Sequence, residues 1–163
     1  MGRKRKIRSE LTQDRLKELA EYSAETGELI RYDGVPGSFN SKGYPQITID
    51  GMTYPVHRLA WLYMTGEWPK HQIDHKNRVK TDNAFLNLRE ATQSQNMING
   101  GKSKRNKSGY RGVSWHSKYQ KWRACISING KLIHLGYTET AEDAHSLYIN
   151  AGRIHFGEFF DCS

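Results

Sequence analysis

Residues 73–99 of this 163-residue chain read IDHKNRVKTDNAFLNLREATQSQNMIN. Near the start of the stretch, an aspartate and a histidine stand side by side at Asp74 and His75. Hydrolysis of a phosphodiester needs a base that activates water and a cation that stabilises charge on the phosphate and the leaving oxygen. Because neighbouring side chains of a strand point to opposite sides, His75 can face the water while Asp74 faces the cation. The pair therefore predicts a site for phosphodiester hydrolysis.

Two asparagines in the same stretch extend this prediction to the surroundings of the cation. Hard cations such as Mg²⁺ take oxygen ligands, and an asparagine carbonyl serves as well as a carboxylate. Asn96 lies in a helix that begins after Thr92, from which it can project back toward Asp74. Asn87 lies in the loop between them, where it is suited to holding the backbone around His75. We therefore expect one divalent ion, Mg²⁺ first and Mn²⁺ as the alternative, on Asp74 and Asn96.

The rest of the composition excludes several classes of protein. Cys125 and Cys162 are far apart, so they form neither a disulfide framework nor a cysteine-ligated zinc site, and no zinc is expected. The apolar stretches are too short for a transmembrane helix, and no apolar segment follows the first basic residues as in a secretory signal. These features predict a soluble protein that contacts no membrane and works in the cytoplasm, that of the host cell if a phage encodes it.

The distribution of charge indicates a polyanionic partner. The chain carries 25 Lys and Arg against 17 Asp and Glu, a net charge of +8. No acidic residue occurs between Ala91 and Thr138, a stretch that holds nine basic ones. An ordinary solvated surface mixes the two signs, so a polyanion is the predicted partner of this stretch, and nucleic acid is the commonest one. We expect the protein to act on DNA as a monomer.

Composition divides the chain into four segments. Residues 1–10 are basic and without periodicity, which is typical of disorder. Residues 11–99 form the first predicted domain, and residues 109–163 form the second. Residues 100–108 are small, polar and basic, which predicts a flexible linker. Four of its residues are expected to contact the DNA backbone: Lys102, Lys104, Arg105 and Lys107.

Hydrophobic patterning predicts an α+β protein. In the first domain, residues 57–64 have the apolar spacing of a helix, whereas residues 73–89 are polar and read as a loop. In the second domain, three strands with a hairpin turn at residues 129–130 precede a helix that begins after Thr140 and ends at Gly152. The sequence therefore predicts a three-stranded antiparallel sheet packed on one helix.

The hairpin register assigns the two faces of this sheet. With a two-residue turn, Ile126 pairs with Ile133 and Ala124 pairs with Leu135, which gives an apolar face for the helix. The other face is basic and polar, so it suits a DNA major groove. Trp115 either contacts a DNA sugar or packs in the protein. The remaining candidate DNA-binding residues of this domain are Arg111, Ser114, Lys121, Arg123, Ser127 and His134.

The first domain resembles a known family of nucleases. His57-Arg58-Leu59-Ala60-Trp61, Ile73-Asp74-His75, Asn87-Leu88-Arg89 and Asn96 are similar in order and spacing to the HNH homing endonucleases of phages and their introns. The resemblance covers residues 11–99 and implies a ββα-metal fold. It implies that His75 is the general base, that Asp74 and Asn96 bind one divalent ion, and that Asn87 orients the histidine loop. Asn96 replaces the last histidine of the family name.

The second domain resembles a family of DNA-binding domains. Tyr110-Arg111-Gly112-Val113, Lys121-Trp122-Arg123-Ala124 and Thr140-Ala141-Glu142-Asp143-Ala144 are similar to the Apetala-two, or ethylene-response-factor, domain. The resemblance covers residues 108–157. It implies that the exposed face of the sheet reads DNA and that Arg111 is a principal reader.

These features favour a metal-dependent DNA endonuclease of the homing type, targeted by its second domain. A DNA-binding regulator with a retired nuclease fold is the alternative, although Asp74, His75, Asn87 and Asn96 are all present. A third reading, a basic RNA- or nucleoid-binding protein, predicts binding that is indifferent to metal. Incubation of a long DNA in Mg²⁺, with and without a chelator, separates the endonuclease from the other two.

Overall fold

The computed structural model describes residues 10–100 and 106–160. The chain divides between Glu90 and Ala91 into two compact units. Both helices and strands occur in each unit, so the predicted mixture of the two is confirmed. The basic N-terminal run up to residue 9 and the linker residues Lys102, Lys104 and Arg105 lie outside the described residues.

The first unit is built from short elements around an apolar core. Thr12 caps the first helix by accepting a hydrogen bond from the Arg15 amide. The core contains Leu11, Leu16, Ala20, Ile47, Ile49, Leu59 and Leu62. In chain order the elements are α1 (Gln13–Leu19), β1 (Ala20–Tyr22), β2 (Leu29–Arg31), β3 (Ser38–Phe39), β4 (Pro45–Ile49), β5 (Met52–Pro55), α2 (Val56–Thr65), β6 (Gln72–His75) and β7 (Leu88–Ala91).

Helix α2 confirms the prediction for residues 57–64. Its apolar residues recur at helical spacing, so Leu59, Ala60 and Leu62 are buried on one side. The helix ends at Gly66, which adopts a left-handed conformation with φ 83° and donates its amide to the Leu62 carbonyl. Glycine adopts that conformation without steric cost, which explains the sharp stop.

The prediction of a loop over residues 73–89 is wrong at both of its ends. Strands β6 and β7 form a two-stranded sheet there. Ile73 and Leu88 anchor this sheet in a second apolar cluster with Tyr22 and Ala60. Polar side chains obscured these strands in the sequence, because Asp74 and His75 are also buried and break the usual alternation.

The second unit consists of a short helix, a three-stranded antiparallel sheet and a longer helix. The strand order is β10-β9-β8, and Val113, Ala124, Ala141 and Ala144 form a buried cluster between the sheet and the longer helix. A capping box of Thr92 and Gln95 begins the short helix. The elements are α3 (Gln93–Asn99), β8 (Val113–His116), β9 (Lys121–Ile128), β10 (Lys131–Thr138) and α4 (Ala141–Phe156).

The predicted register of the β9–β10 hairpin is confirmed near the turn and wrong beyond it. Ile126 pairs with Ile133 as predicted, but Ala124 pairs with Gly136 instead of Leu135. A β-bulge between His134 and Gly136 causes this shift. Since a bulge inserts one extra residue, every later side chain of β10 moves to the opposite face.

Helix α4 continues past its predicted end at Gly152 to Phe156. Gly152 is buried against the ring of Phe160, and a Cβ atom at this position would collide with that ring. The glycine therefore permits close packing instead of ending the helix. Within the described residues, no helix has both the length and the apolar character needed to cross a membrane.

The division at residues 90–91 lies before the domain boundary predicted at residues 99–100. Helix α3 accounts for the difference, because Ile98 is buried in an apolar cluster with Ile126, Tyr148 and Phe156. Seven residues are too few to form a stable isolated helix in water, so these contacts determine where α3 lies.

Candidate active site

Strand β6 places Asp74 and His75 in the interior of the first unit. Each residue is only 5% exposed. The Arg89 guanidinium donates from Nε to Asp74 Oδ2 over 2.9 Å, and both side chains are largely buried. Breaking such a buried pair leaves an uncompensated charge, which costs about 3–5 kcal/mol. Arg89 therefore fixes the orientation of the Asp74 carboxylate.

Asn83 holds the His75 ring. The distance from His75 Nε2 to Asn83 Oδ1 is 3.1 Å, and Asn83 is 2% exposed. Asn83 Nδ2 donates to the Thr81 carbonyl, which leaves Oδ1 as the acceptor toward the ring. Because Asn83 Oδ1 can only accept, Nε2 of His75 is the donor of this bond. Tyr22 secures Asn83 in turn by donating its hydroxyl to the Asn83 carbonyl over 2.7 Å.

Asn87 ties together the loop that follows His75. Its Oδ1 accepts from the Asn77 amide over 3.0 Å, and its Nδ2 donates to Asn77 Oδ1 and to the Asp82 carbonyl. Its own carbonyl accepts from the Lys76 amide. One side chain therefore connects both ends of this loop, so it restrains the backbone on which His75 lies.

His57 belongs to the same site, although the sequence motif did not reveal its contact with His75. The centroids of the His57 and His75 rings are 5.3 Å apart, and Tyr44 lies 5.3 Å from His57 and 5.9 Å from His75. Burial, and secondarily the nearby His75 and Arg58, lowers the pKa of His57 to about 4. His57 is therefore neutral at neutral pH. The two histidines are far apart in sequence, and no local pattern predicts their contact.

The residues available for a metal ion are oxygen donors. Among the described residues, no group of three His, Cys, Asp or Glu side chains comes together as a metal site. The Asp74 carboxylate is a hard oxygen ligand, which fits Mg²⁺ or Mn²⁺, and the remaining ligands must come from amide oxygens, phosphate or water. Asn96 lies on α3 in the second unit, and its side chain is half-buried.

The polar face of the second unit's sheet brings together most of the DNA-binding residues predicted outside the linker. Strand pairing places five of them on this face: Ser114, Lys121, Arg123, Ser127 and His134. Arg123 donates to Ser114 Oγ over 3.3 Å, and Lys121 forms an ion pair with Glu139 over 2.7 Å. Lys107, from the predicted linker, is exposed.

The structure does not place Trp115 or Arg111 on this polar face. Trp115 pairs with Trp122 on the side of α4, in edge contact at 5.3 Å, although it remains 48% exposed. Arg111 precedes β8, and its guanidinium donates to the carbonyls of Met97, Ile98 and Gly100 at the end of α3.

An aromatic cluster on the polar face escaped the sequence reasoning. The Tyr137 ring lies 5.0 Å from Tyr119, 5.3 Å from His116 and 4.5 Å from His134. The bulge pairs Tyr137 with Arg123 and so brings it onto this face. In the register predicted without a bulge, Tyr137 lies on the face of α4, which is why the cluster was missed.

Comparisons with known proteins agree with the geometry of the first unit. Residues 54–98 match the family described as HNH endonuclease. "Protein 3.8" of Escherichia phage T7 is 30% identical over 104 residues, which are 63% of this chain and 85% of the phage protein. The "Uncharacterized HNH endonuclease L560" of Acanthamoeba polyphaga mimivirus is 32% identical over 119 residues, which are 72% of this chain but only 60% of that protein.

No solved structure shows a significant match to the chain. The family match nevertheless spans the segment in which Asp74, His75 and Asn87 are held together, and the chain covers most of its phage relative. On these grounds the chain belongs to the HNH endonuclease family.

Proposed function

We propose that the chain is a metal-dependent endonuclease of the homing type that hydrolyses phosphodiester bonds in double-stranded DNA. The observation that carries the proposal is the buried hydrogen bond between His75 and Asn83, beside the Asp74–Arg89 pair. It holds the His75 ring through Nε2, one residue away from a hard oxygen ligand. General bases at such sites accelerate a reaction by about 10²–10⁴-fold.

In this proposal His75 is the general base that accepts a proton from water at Nδ1. Asn87 acts through the loop, because its hydrogen bonds hold the backbone that follows His75. His57 is kept neutral by burial, so it adds no positive charge beside the His75 ring.

Asp74 and Asn96 are the proposed ligands of one divalent ion, Mg²⁺ or Mn²⁺. When bound, the ion stabilises negative charge on the phosphate and on the leaving oxygen. Metal-ligating carboxylates are themselves usually hydrogen-bonded, and Arg89 supplies that bond to Asp74. The oxygen donors fit this class of ion and not the sulfur-rich zinc sites of other proteins.

The polar face of the second unit is the proposed targeting surface, in keeping with its resemblance to the Apetala-two domain. Ser114, Arg123, Ser127 and His134 lie on this face, and Arg123 is the strongest candidate for contacting a base edge. The linker cations Lys102, Lys104, Arg105 and Lys107 are proposed to contact the DNA backbone, which adds affinity without sequence preference. The whole is proposed to act on DNA as a monomer in the cytoplasm.

A non-catalytic DNA-binding regulator is the second candidate, and one observation favours it. The Asp74 carboxylate is already paired with the Arg89 guanidinium, which competes with a cation for the same negative charge. A retired site of this kind binds DNA but does not respond to metal.

Incubation of a long double-stranded DNA with the protein separates the two candidates. Cleavage in Mg²⁺ that stops with a chelator supports the nuclease, whereas binding without cleavage in either condition supports the regulator. A competition between RNA and DNA of similar length tests the reading as a basic RNA-binding protein. Such a protein stays bound to RNA when DNA is added.

A further inference from the structure

We propose that Arg111 is a positioning residue for α3, the helix that carries Asn96, and not a reader of DNA bases. The inference rests on the proposed function, in which Asn96 is a metal ligand. It changes the role that the family resemblance implies for Arg111.

The contacts of Arg111 are those of a helix cap. Its Nη1 donates to the carbonyl of Ile98 over 2.7 Å and also to that of Gly100, while Nη2 donates to the carbonyl of Met97. The last carbonyls of a helix have no partners within the helix. They also form the negative end of the helix dipole, where a positive charge is favourable. One guanidinium therefore donates to three carbonyls within the four residues that follow Asn96.

The residues around Arg111 are closely packed, so the position of its guanidinium at the end of α3 is fixed by its neighbours. The next residue, Gly112, lies so close to the Tyr148 ring that a Cβ atom would collide with it. Tyr148 is buried in the same apolar cluster as Ile98. At the other end of α3, Ser94 Oγ accepts the Asn129 amide over 3.1 Å. The seven-residue helix is thus held at both ends by the second unit.

The same contacts leave Arg111 poorly suited to reading DNA. A bidentate arginine–guanine contact uses two N–H groups of one fork. Both Nη atoms of Arg111 already donate to backbone carbonyls, and reading a base would require those bonds to break. Arg123, by contrast, lies on the polar face, and its longer contacts to Ser114 Oγ are easily exchanged.

The test compares Arg111→Ala and Arg111→Lys with Arg123→Ala, which removes the same charge from the polar face. Three quantities are measured on the full chain: DNA affinity in chelator, hydrogen exchange of the amides of α3, and the Mg²⁺ dependence of single-turnover cleavage of bound DNA. For Arg111→Ala we expect affinity within about 3-fold of wild type, faster exchange in α3, and cleavage reduced by about 10–100-fold, as for other residues that orient metal ligands.

The two arginines are expected to behave in opposite ways. Arg123→Ala is expected to weaken binding by about 10-fold or more, while α3 exchanges normally. Arg111→Lys keeps the charge but not the fork, so it recovers part of the cleavage rate. If Arg111→Ala unfolds the chain, the lysine variant provides the same comparison.

The proposal is overturned if an Arg111 variant loses DNA affinity while bound DNA is cut at the wild-type rate. It is equally overturned if hydrogen exchange in α3 is unchanged. Failure of the proposed function has a different signature, because Asn96→Ala then cleaves like wild type or the wild type does not cleave at all. In that case the exchange measurement still decides whether Arg111 holds α3.

Discussion

The loop around His75 and the polar face of the β8–β10 sheet differ in how accessible their side chains are. At the loop, Asp74, His75 and Asn83 are nearly inaccessible, and each makes a short hydrogen bond to a neighbour in the same unit. On the sheet, Ser127 and His134 are exposed. A reacting group needs a fixed position, whereas a binding surface must remain available to its partner. Mutations in the first region should therefore change rates, and mutations in the second should change affinities.

The largest expected effect is that of His75→Ala, which removes the proposed base. We expect the single-turnover rate of DNA cleavage in saturating Mg²⁺ to fall by about 10²–10⁴-fold. DNA affinity should hardly change, because the buried ring is not part of the polar face. His71→Ala is the matched control, since His71 is exposed and its backbone amide, not its ring, donates to Glu90. Equal rates for the two variants would remove His75 from the mechanism.

A smaller effect on rate, together with a loss of stability, is expected from Asn83→Ala. The variant leaves a buried N–H group of His75 without its acceptor, which costs about 1–3 kcal/mol in the free energy of unfolding. The ring also loses its fixed orientation, so cleavage slows while binding persists. Denaturant unfolding and single-turnover cleavage measure the two effects, with Asn150→Ala on the exposed side of α4 as the control. A stable variant with a normal rate would show that Asn83 does not orient His75.

On the sheet, Arg123→Ala is expected to change the affinity for DNA and not the rate-determining site around His75. Loss of one base-contacting arginine should weaken DNA binding by about 1–3 kcal/mol and reduce discrimination between sequences. Arg153→Ala removes the same charge from the exposed surface of α4 and should have a smaller effect that does not depend on sequence. Fluorescence anisotropy at fixed salt concentration checks both variants. Similar losses for both would mean that the polar face is not the reading surface.

The smallest effect concerns acid stability and the ring of His57. Its pKa falls from the ordinary 6.5 to about 4 in the folded chain. Between these values the unfolded chain binds a proton that the folded chain does not, so stability decreases as pH falls through this window. His57→Gln removes this contribution, and the loss of unfolding free energy from pH 7 to pH 4 should shrink by about 1–3 kcal/mol. Identical pH profiles for the variant and wild type would exclude a buried, neutral His57.

The parts of the fold that short sequence patterns encode were predictable. The apolar spacing of α2, the capping box of α3 and the turn before β10 depend on neighbours within a few residues. Strand β6 does not follow from the sequence pattern because two of its buried side chains, Asp74 and His75, are polar. The bulge after His134 is not predictable from the turn, because the length of a hairpin turn sets the register only until a residue is inserted in one strand.

The candidate site was predictable only in part for a similar reason. Asp74, His75 and Asn87 are predictable because one stretch of sequence contains a metal ligand, a base and an amide that can hold the loop between them. Asn83 lies in the same stretch, but its role depends on a bond across the loop. His57 and Arg111 make contacts that are distant in sequence or that differ from those implied by the family resemblance.

The most direct test of the account is the behaviour of Asp74→Asn, which keeps an acceptor for Arg89 but removes the charge that holds a divalent ion. DNA binding is measured in chelator, and cleavage of the bound DNA is measured as Mg²⁺ is raised. If Asp74 holds the metal ion, we expect DNA affinity to equal that of the wild type. We expect cleavage to be nearly abolished and to be restored only weakly by higher Mg²⁺. Cleavage at the wild-type rate and with the wild-type Mg²⁺ requirement would contradict the assignment of Asp74 to the metal and, with it, the proposed site.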